Sequence, residues 1–339
     1  MSKRVLLVST ASALVLATLI TAVVKAEGQA PGTAAPSGAS SASGLRTPWG
    51  EPDLQGLWTS EPELGVPFER PRELGERQTL TDAEFAARQA QAAKQLATDA
   101  AEFDVDTAET ANAGAVGSAT SPPPHWLERG QPSRRTSLVI DPPDGRIPAA
   151  SAEARARQQR AVRGSFGDGP YNSHQDFTLY DRCITRGVPG AIFPAVYNAN
   201  TRVTQGPGYV AISYEMIHET RVVPIDDRPP LPEGLRQYGG DARGRWEGDT
   251  LVIRTANFNG RALYRGAGDK LVLTERLRRV DAQTLRYEVT VEDPTTWARP
   301  WTAALNMKPQ SDQMYEYACH EGNNSMRNML SAARAAEKK

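Results

Sequence analysis

Apolar and polar positions alternate along much of the second half of the chain. Apolar side chains recur at every second position over short stretches, as on strands whose successive side chains point to opposite faces. Segments of hairpin-turn composition, 247–249 and 281–283, separate neighbouring stretches. This spacing is typical of an up-and-down meander, so the chain is predicted to be mainly β and to form an antiparallel up-and-down barrel. The predicted strands are 56–58, 136–140, 208–223, 244–246, 250–257, 270–280, 284–292, 301–307 and 313–319.

The remaining segments predict two peripheral helices and several long loops. Thr81 and Glu84 form a capping box at the start of an Ala-rich helix that should reach about residue 101. A second helix, rich in Ala and Arg, is predicted from about 151 to 162. Residues 104–124 are poor in apolar side chains, and 187–200 contain several prolines and glycines, so both are predicted to be irregular.

The N-terminus predicts an exported protein. Residues 1–26 have a basic start, an apolar stretch and a small-residue exit, which is the pattern of a secretory signal peptide. Since the apolar stretch of about 20 residues could also cross a bilayer, an uncleaved anchor is the alternative. A disordered linker is predicted at 27–46, then a single barrel domain at 47–335 with helical and loop insertions at about 80–163. The expected location is periplasmic or secreted, with membrane contact only through an uncleaved N-terminal segment.

Charge and motifs exclude several functional classes. The chain has 39 Lys and Arg residues against 40 Asp and Glu residues, so nothing indicates a nucleic-acid partner. Arginine greatly outnumbers lysine, which genomic base composition explains more simply than a binding role. Sequence motifs for phosphate-binding loops, dinucleotide binding, haem attachment, serine-hydrolase elbows and zinc sites are absent, so neither a cofactor nor a metal site is predicted.

The chain has two cysteines, Cys183 and Cys319. Disulfides persist in oxidising compartments, and two cysteines allow a single pairing. A Cys183–Cys319 disulfide is therefore predicted, which would tie the middle of the chain to the last predicted strand. Two free buried thiols are the alternative.

Strand parity gives one histidine a special position. On the predicted strand 208–223, His218 shares the apolar face with Tyr214, while Glu215, Glu219 and Arg221 lie on the opposite face. His218 is therefore predicted to point into the barrel as an acid/base or ligand-binding group that titrates near neutral pH. The alternative is a buried structural histidine bonded to Tyr214 or to a backbone carbonyl.

A second cluster of polar residues follows Cys319. His320 and Glu321 lie at the end of the last predicted strand, where the mouth of a barrel would be. The disulfide would bring Arg182 and Arg186 close to them, and an arginine there could hold an anionic group. The alternatives are a structural corner at His320 and ordinary salt bridges from the arginines to Glu321 or to a neighbouring aspartate. The candidate catalytic residues are His218, His320, Arg182 and Arg186.

Five side chains are candidates for ligand contact. The aromatic ones could form a platform for a ring, or could simply belong to the core or to the rim of the barrel. The candidate substrate-binding residues are Tyr214, Trp246, Trp301, Tyr317 and Glu321.

The leading functional hypothesis is an exported barrel that binds a small organic molecule in its cavity. A catalytic version would use proton transfer, in an elimination, isomerisation or hydrolysis. One alternative is a non-catalytic carrier of a hydrophobic or aromatic ligand. The other is a structural or partner-binding envelope protein whose barrel is filled.

Six segments together resemble a group of exported bacterial proteins to which no activity is assigned. The resemblance covers most of residues 47–335, but it implies no chemistry. A second resemblance, to lipocalin-like barrels, rests on Gly56, Trp58 and the meander, and it implies architecture alone. The six segments are 52–58 (PDLQGLW), 134–146 (RRTSLVIDPPDGR), 182–187 (RCITRG), 246–252 (WEGDTLV), 293–297 (DPTTW) and 319–323 (CHEGN).

Overall fold

A computed structural model describes residues 45–100, 127–167, 169, 171–261 and 264–338. Their core is one antiparallel sheet in which nine strands follow one another around a nearly closed barrel, in the order β5-β4-β3-β1-β10-β9-β8-β7-β6, with β2 paired to β10. The mainly β, antiparallel barrel predicted from the alternating pattern is therefore confirmed. The strands are β1 (Gly56–Thr59), β2 (Val139–Asp141), β3 (Asn200–Gly206), β4 (Tyr209–Tyr214), β5 (Thr220–Pro224), β6 (Asp241–Glu247), β7 (Thr250–Ala256), β8 (Val272–Asp281), β9 (Thr284–Glu292) and β10 (Trp301–Pro309).

Two meanders make up the barrel, and β1 joins them. β3, β4 and β5 form one meander, and β6 to β10 form the other. β1 pairs with β3 on one side and with the end of β10 on the other, where Trp58 lies opposite Pro309. β2 pairs with the beginning of β10, at Thr302 and Ala303. One strand from the N-terminal part of the chain is therefore needed to complete the wall.

The barrel closes between β5 and β6 by packing, since these two strands are the ends of the hydrogen-bonded path. Gly244 on β6 lies against β5 so closely that a Cβ atom there would be 3.1 Å from Val223 Cγ1 and 3.1 Å from Ile225 Cγ1. A larger residue would require these two side chains to shift by a few tenths of an ångström. Glycine at this position therefore favours close packing at the seam.

The barrel interior is a packed core. A side chain that lined a water-sized cavity would keep some accessible surface, whereas the inward-facing residues of the central strands keep none. The space between these strands is therefore filled by side chains, and room for a ligand has to lie elsewhere. The inward-facing residues with zero exposure include Val210, Ile212, Leu251, Ile253, Leu273, Leu277, Leu285, Tyr287, Val289, Val291, Trp301, Ala303, Leu305 and Met307.

The predicted strand 208–223 is wrong in one respect, because the structure divides it into β4 and β5. A tight 3-10 turn at Met216–His218 separates them. Ile217 and His218 have φ angles of 66° and 59° in this turn, in the left-handed region. A turn of this kind ends the alternation of the first strand and starts a new one.

The inward orientation predicted for His218 is wrong for the same reason. His218 is exposed on the turn, whereas Glu215, predicted to point outward, is buried. In β5 the new alternation turns Arg221 into the barrel and leaves Val222 59% exposed. The predicted alternation of inward and outward side chains is correct on β4, but it does not continue through the turn into β5.

The last predicted strand, 313–319, is also wrong, because these residues form a non-strand segment that leads to a helix. Their Tyr-Glu-Tyr alternation resembles a strand, but no ladder forms there in the described chain. β3 overlaps the region predicted to be irregular only at Asn200, and the rest of the strand was not predicted because two of its inward residues, Thr201 and Gln205, are polar.

Three helices lie outside the barrel in the described residues: α1 (Asp82–Ala100), α2 (Ala152–Arg160) and α3 (Asn324–Ala336). The capping box of α1 forms as predicted, with the Thr81 N–H donating to Glu84 at 2.8 Å and the Glu84 N–H to Thr81 Oγ1 at 3.3 Å. α2 is capped by Ser151, and the sequence did not predict α3. No helix in these ranges has the length and apolarity needed to cross a bilayer. The predicted signal peptide and linker lie outside the described residues, apart from Leu45 and Arg46.

Candidate functional site

A cavity of about 1460 Å³ opens at the end of the barrel where β6, β8 and β10 begin. Its walls come from α2, from the loop segment 174–187, from residues 236–238 and from the β7–β8 connection. We call this cavity the arginine groove. It is formed by connections at the barrel end, outside the packed interior.

The lining of the arginine groove is strongly cationic. Eight arginines and lysines face two carboxylates, Glu153 and Asp269, which leaves an excess of six positive charges among the described lining residues. The whole chain, by contrast, carries a formal net charge of −1. Positive charge is therefore concentrated at this site. The eight cationic residues are Arg157, Arg160, Arg182, Arg186, Arg236, Arg261, Arg265 and Lys270.

The two carboxylates of the groove are already paired. Glu153 accepts a hydrogen bond from Arg157 at 2.9 Å, and Asp269 forms an ion pair with Arg236. This pairing and the nearby lysine hold the pKa of Asp269 below its ordinary value. Among the described lining residues, the remaining cations therefore have no carboxylate left to pair with.

The floor of the groove is aromatic. Tyr264 lines the groove and stacks on Phe193, with ring centroids 6.1 Å apart, and on the fully buried Trp301 at 6.2 Å. Burial raises the pKa of Tyr264 to about 12. This floor is anchored in the barrel core and offers one tyrosine to a ligand.

Two arginines of the groove are held against aromatic rings. The guanidinium of Arg186 lies 5.7 Å from the Tyr180 ring centroid, and its Nη1 lies 2.9 Å from the sulfur of Met216. The guanidinium of Arg265 lies 4.0 Å from the Phe68 ring centroid and 5.8 Å from that of Tyr264. Stacking of this kind orients a guanidinium and leaves its N–H edge free to donate.

The predicted Cys183–Cys319 disulfide is confirmed, with the two Cα atoms 5.8 Å apart. It links the loop that carries Arg182 to the segment before α3, although the sequence had placed Cys319 on a strand. Asn323 adds a second link, donating to the Asp181 carbonyl at 2.7 Å. The segment 174–187 is therefore held to the C-terminal part of the chain.

A second cavity, of about 1020 Å³, lies beside this disulfide and beneath α3. Phe177 and Tyr180 contribute to both cavities. The Tyr180 hydroxyl lies 3.1 Å from that of Tyr197 and 3.4 Å from that of Tyr317. Burial and these neighbours raise the pKa of Tyr180 well above its ordinary value. The two cavities are thus separated by one short stretch of chain.

The structure brings two of the four candidate catalytic residues together. Arg182 and Arg186 both line the arginine groove. His218 and His320 are exposed and are among the lining residues of neither cavity, and Glu321 is also exposed. The histidine that does line the groove is His174, for which the sequence gave no strong signal.

The candidate substrate-binding residues are distributed over several places. Trp301 lies beneath the groove floor, and Tyr317 lines the second cavity. Tyr214 is buried in the barrel. Trp246 is half-buried against the core, with its indole N–H buried and without a hydrogen-bond partner in the described residues.

A buried polar cluster inside the barrel was missed by the sequence. Glu275 accepts hydrogen bonds from Arg221 at 2.6 and 2.8 Å, from Tyr287 at 3.0 Å and from Thr255 at 3.4 Å. Burial raises the pKa of the nearby Tyr214 to about 12. The sequence did contain a signal for this cluster, since Glu275 lies at an inward-facing position of β8 between two leucines.

Comparison with known proteins found no matching family model, no matching curated protein and no matching solved structure. The resemblance to exported bacterial proteins therefore remains an expectation, while the barrel architecture is shown. Among the described residues, no three His, Cys, Asp or Glu side chains are grouped so that they could hold a metal ion.

Proposed function

We propose that this protein binds a small organic anion in the arginine groove. The observation that carries the proposal is the excess of six positive charges around a concave site in a chain that is nearly neutral overall. Like charges gathered at one place repel each other, and a bound anion would relieve that repulsion. The barrel supplies a rigid base for the binding loops.

Arginine is the side chain best suited to this task. Its planar guanidinium donates two parallel hydrogen bonds to a carboxylate or phosphate and stays charged at any physiological pH. Arg186 and Arg265 are oriented by aromatic rings before any ligand binds, which lowers the entropy cost of binding. Tyr264 would contact the organic part of the ligand from below.

Proton-transfer catalysis on the bound anion is a second candidate function. It is favoured by His174, which lines the groove and is of the side-chain type that most often serves as a general acid or base. Under this candidate His174→Ala would abolish turnover and leave ligand affinity nearly unchanged. Loss of affinity in step with turnover would instead indicate a binding role for His174.

Export to an oxidising compartment is part of the proposal. A disulfide between residues 136 positions apart is typical of periplasmic and secreted proteins. We therefore propose that the protein is exported and binds small anions.

Calorimetric titration with matched ligands tests the proposal. The ligand panel would contain an aryl carboxylate, an aryl phosphate, the neutral amide of the carboxylate and the corresponding benzylamine. We expect the two anions to bind and the neutral and cationic analogues to fail. Equal affinity for the carboxylate and its amide would refute anion binding, as would failure of every anion in the panel.

A pair of variants locates the site. Arg182→Gln removes a charge from the groove, whereas Arg278→Gln removes one from the exposed outer face of β8. We expect the first to weaken anion binding about tenfold, a typical effect of losing one charged hydrogen-bond donor. The second should leave it unchanged, and equal effects of both would place binding outside the groove.

A further inference from the structure

Seven of the eight cations of the arginine groove are divided between two walls that are distant in sequence, and the eighth, Arg236, is paired with Asp269. The first wall is the segment 174–187, with Arg182 and Arg186. The second wall is α2 together with the β7–β8 connection. The cations of the second wall are Arg157, Arg160, Arg261, Arg265 and Lys270.

Each wall is fixed by its own contacts. The first wall is held by the disulfide at Cys183 and by the Asp181 carboxylate, which accepts from the Thr178 backbone N–H at 3.0 Å and from its hydroxyl at 2.7 Å. In the second wall, Arg157 joins α2 to the connections at the barrel end, donating to Thr296 Oγ1 at 2.8 Å and to the Gly266 carbonyl at 3.3 Å. The two sets of charges are therefore positioned by separate sets of contacts.

A single anionic group is a poor match for this arrangement. One carboxylate or phosphate engages one or two guanidinium groups closely, which would leave most of the excess positive charge uncompensated. The groove volume, about 1460 Å³, also exceeds the roughly 300–1000 Å³ of most small-ligand sites. Both facts favour a ligand that is larger and carries several charges.

We infer that the natural ligand is a multivalent organic oxyanion that bridges the two walls, with at least one anionic group bound to each. This inference rests on the proposed anion binding and adds the valence and the span of the ligand. The anionic groups are carboxylates or phosphates, since arginine binds both in the same bidentate manner.

Ligands matched in scaffold but different in charge test the inference. One arm compares benzoate with benzene-1,3,5-tricarboxylate, and the other compares a hexose monophosphate with the bisphosphate of the same sugar. The full exported chain is titrated calorimetrically with each at constant ionic strength, because salt screens exposed charges. We expect the multivalent member of at least one pair to bind at least about tenfold more tightly, because it adds one contact worth about tenfold to the contact that the monovalent member already makes. The arm that shows this preference identifies carboxylate or phosphate as the anionic group.

One variant in each wall then tests bridging itself. Arg182→Gln changes the first wall and Arg261→Gln the second, with Arg278→Gln on the outer barrel face as the control. We expect each wall variant to weaken binding of the multivalent ligand about tenfold, and at most one of them to affect its monovalent partner. The control should bind like the original chain.

Several outcomes separate this inference from the proposed function. If monovalent and multivalent ligands bind equally well in both arms, or if only one wall variant affects the multivalent ligand, the bridging inference is wrong while anion binding stands. If no anion binds, both proposals fail. Unfolding temperatures of all variants, together with Arg182→Lys, which keeps the charge, ensure that a loss of affinity is not a loss of folding.

Discussion

Arg221 on β5 and Glu275 on β8 form a bidentate ion pair inside the barrel, with N–O distances of 2.6 and 2.8 Å. The two strands are not neighbours, because β5 is at one end of the hydrogen-bonded path and β8 is near the other. The ion pair therefore links the two sides of the β5–β6 seam, and Thr255 on β7 adds a further contact to the same carboxylate. The Arg221–Glu275 ion pair thus connects two strands that no backbone ladder joins.

Breaking this ion pair should destabilise the protein strongly. Glu275→Gln would leave the Arg221 charge buried without a counterion, and losses of about 3–5 kcal/mol in the free energy of unfolding are typical of such changes. Urea denaturation measures the effect. Glu292→Gln, on the exposed outer face of β9, is the matched control and should change stability by less than about 0.5 kcal/mol. A loss below about 1 kcal/mol for Glu275→Gln would show that the pair contributes little to closure.

The buried tyrosines should make the fold sensitive to alkali. Burial raises the pKa of Tyr214 and of Tyr264 to about 12, whereas tyrosine in an unfolded chain titrates near 10. The stability contributed by each neutral phenol is fully present below pH 10, and it is lost as the pH rises from about 10 to 12. Unfolding monitored against pH should show a steep fall in this window, with Tyr214→Phe less sensitive than the original chain. An unchanged pH dependence in Tyr214→Phe would remove Tyr214 as a cause.

Removing the disulfide should affect both stability and the groove. The double variant Cys183→Ser/Cys319→Ser should lose about 2–4 kcal/mol in the free energy of unfolding. It should also weaken anion binding, because Arg182 and Arg186 lie on the segment that the disulfide holds. The measurements are denaturation and calorimetric titration of the same samples. Unchanged affinity alongside reduced stability would show that other contacts suffice to place the first wall.

Multivalent anions should stabilise the protein more than monovalent ones. The uncompensated positive charges of the groove repel each other in the free protein, and a ligand that binds only the folded state raises the unfolding temperature. Sulfate or phosphate should therefore raise that temperature more than chloride at equal ionic strength. Part of this effect is general exclusion of sulfate from protein surfaces, so the decisive comparison is with Arg182→Gln/Arg261→Gln, which should show a smaller rise.

The alternating pattern predicts a strand well where the strand is long and one face is fully buried. β9 was predicted with its observed bounds because its inward residues, such as Tyr287 and Val289, are apolar without exception. The same reasoning failed at His218, because a turn with two left-handed residues interrupts the strand and changes the face of every residue that follows. Ile217 is β-branched and disfavours that conformation, and His218, although histidine is enriched in it, is by itself too weak a signal to predict a turn.

The groove was predicted only in part. Arg182 and Arg186 were identified through the disulfide, because pairing Cys183 with Cys319 places the segment around Cys183 next to the C-terminal part of the chain. The arginines of the second wall lie partly on α2 and partly in the irregular β7–β8 connection, and no pairing rule links either part to the first wall. Their abundance was attributed to composition, whereas the fold collects eight cationic residues at one end of the barrel.

Nine antiparallel strands around a barrel have an arithmetic consequence, because an odd number cannot alternate in direction all the way round. The two strands at the seam, β5 and β6, must point the same way. Two strands with the same direction cannot be joined by a hairpin, so residues 225–240 have to travel back along the whole barrel. Near its end this segment forms a parallel bridge between Gln237 and Phe258. Arg236 and Tyr238, on either side of Gln237, line the groove. Because the number of strands is odd, the chain must return along the barrel before β6, and the end of that returning segment forms one side of the binding site.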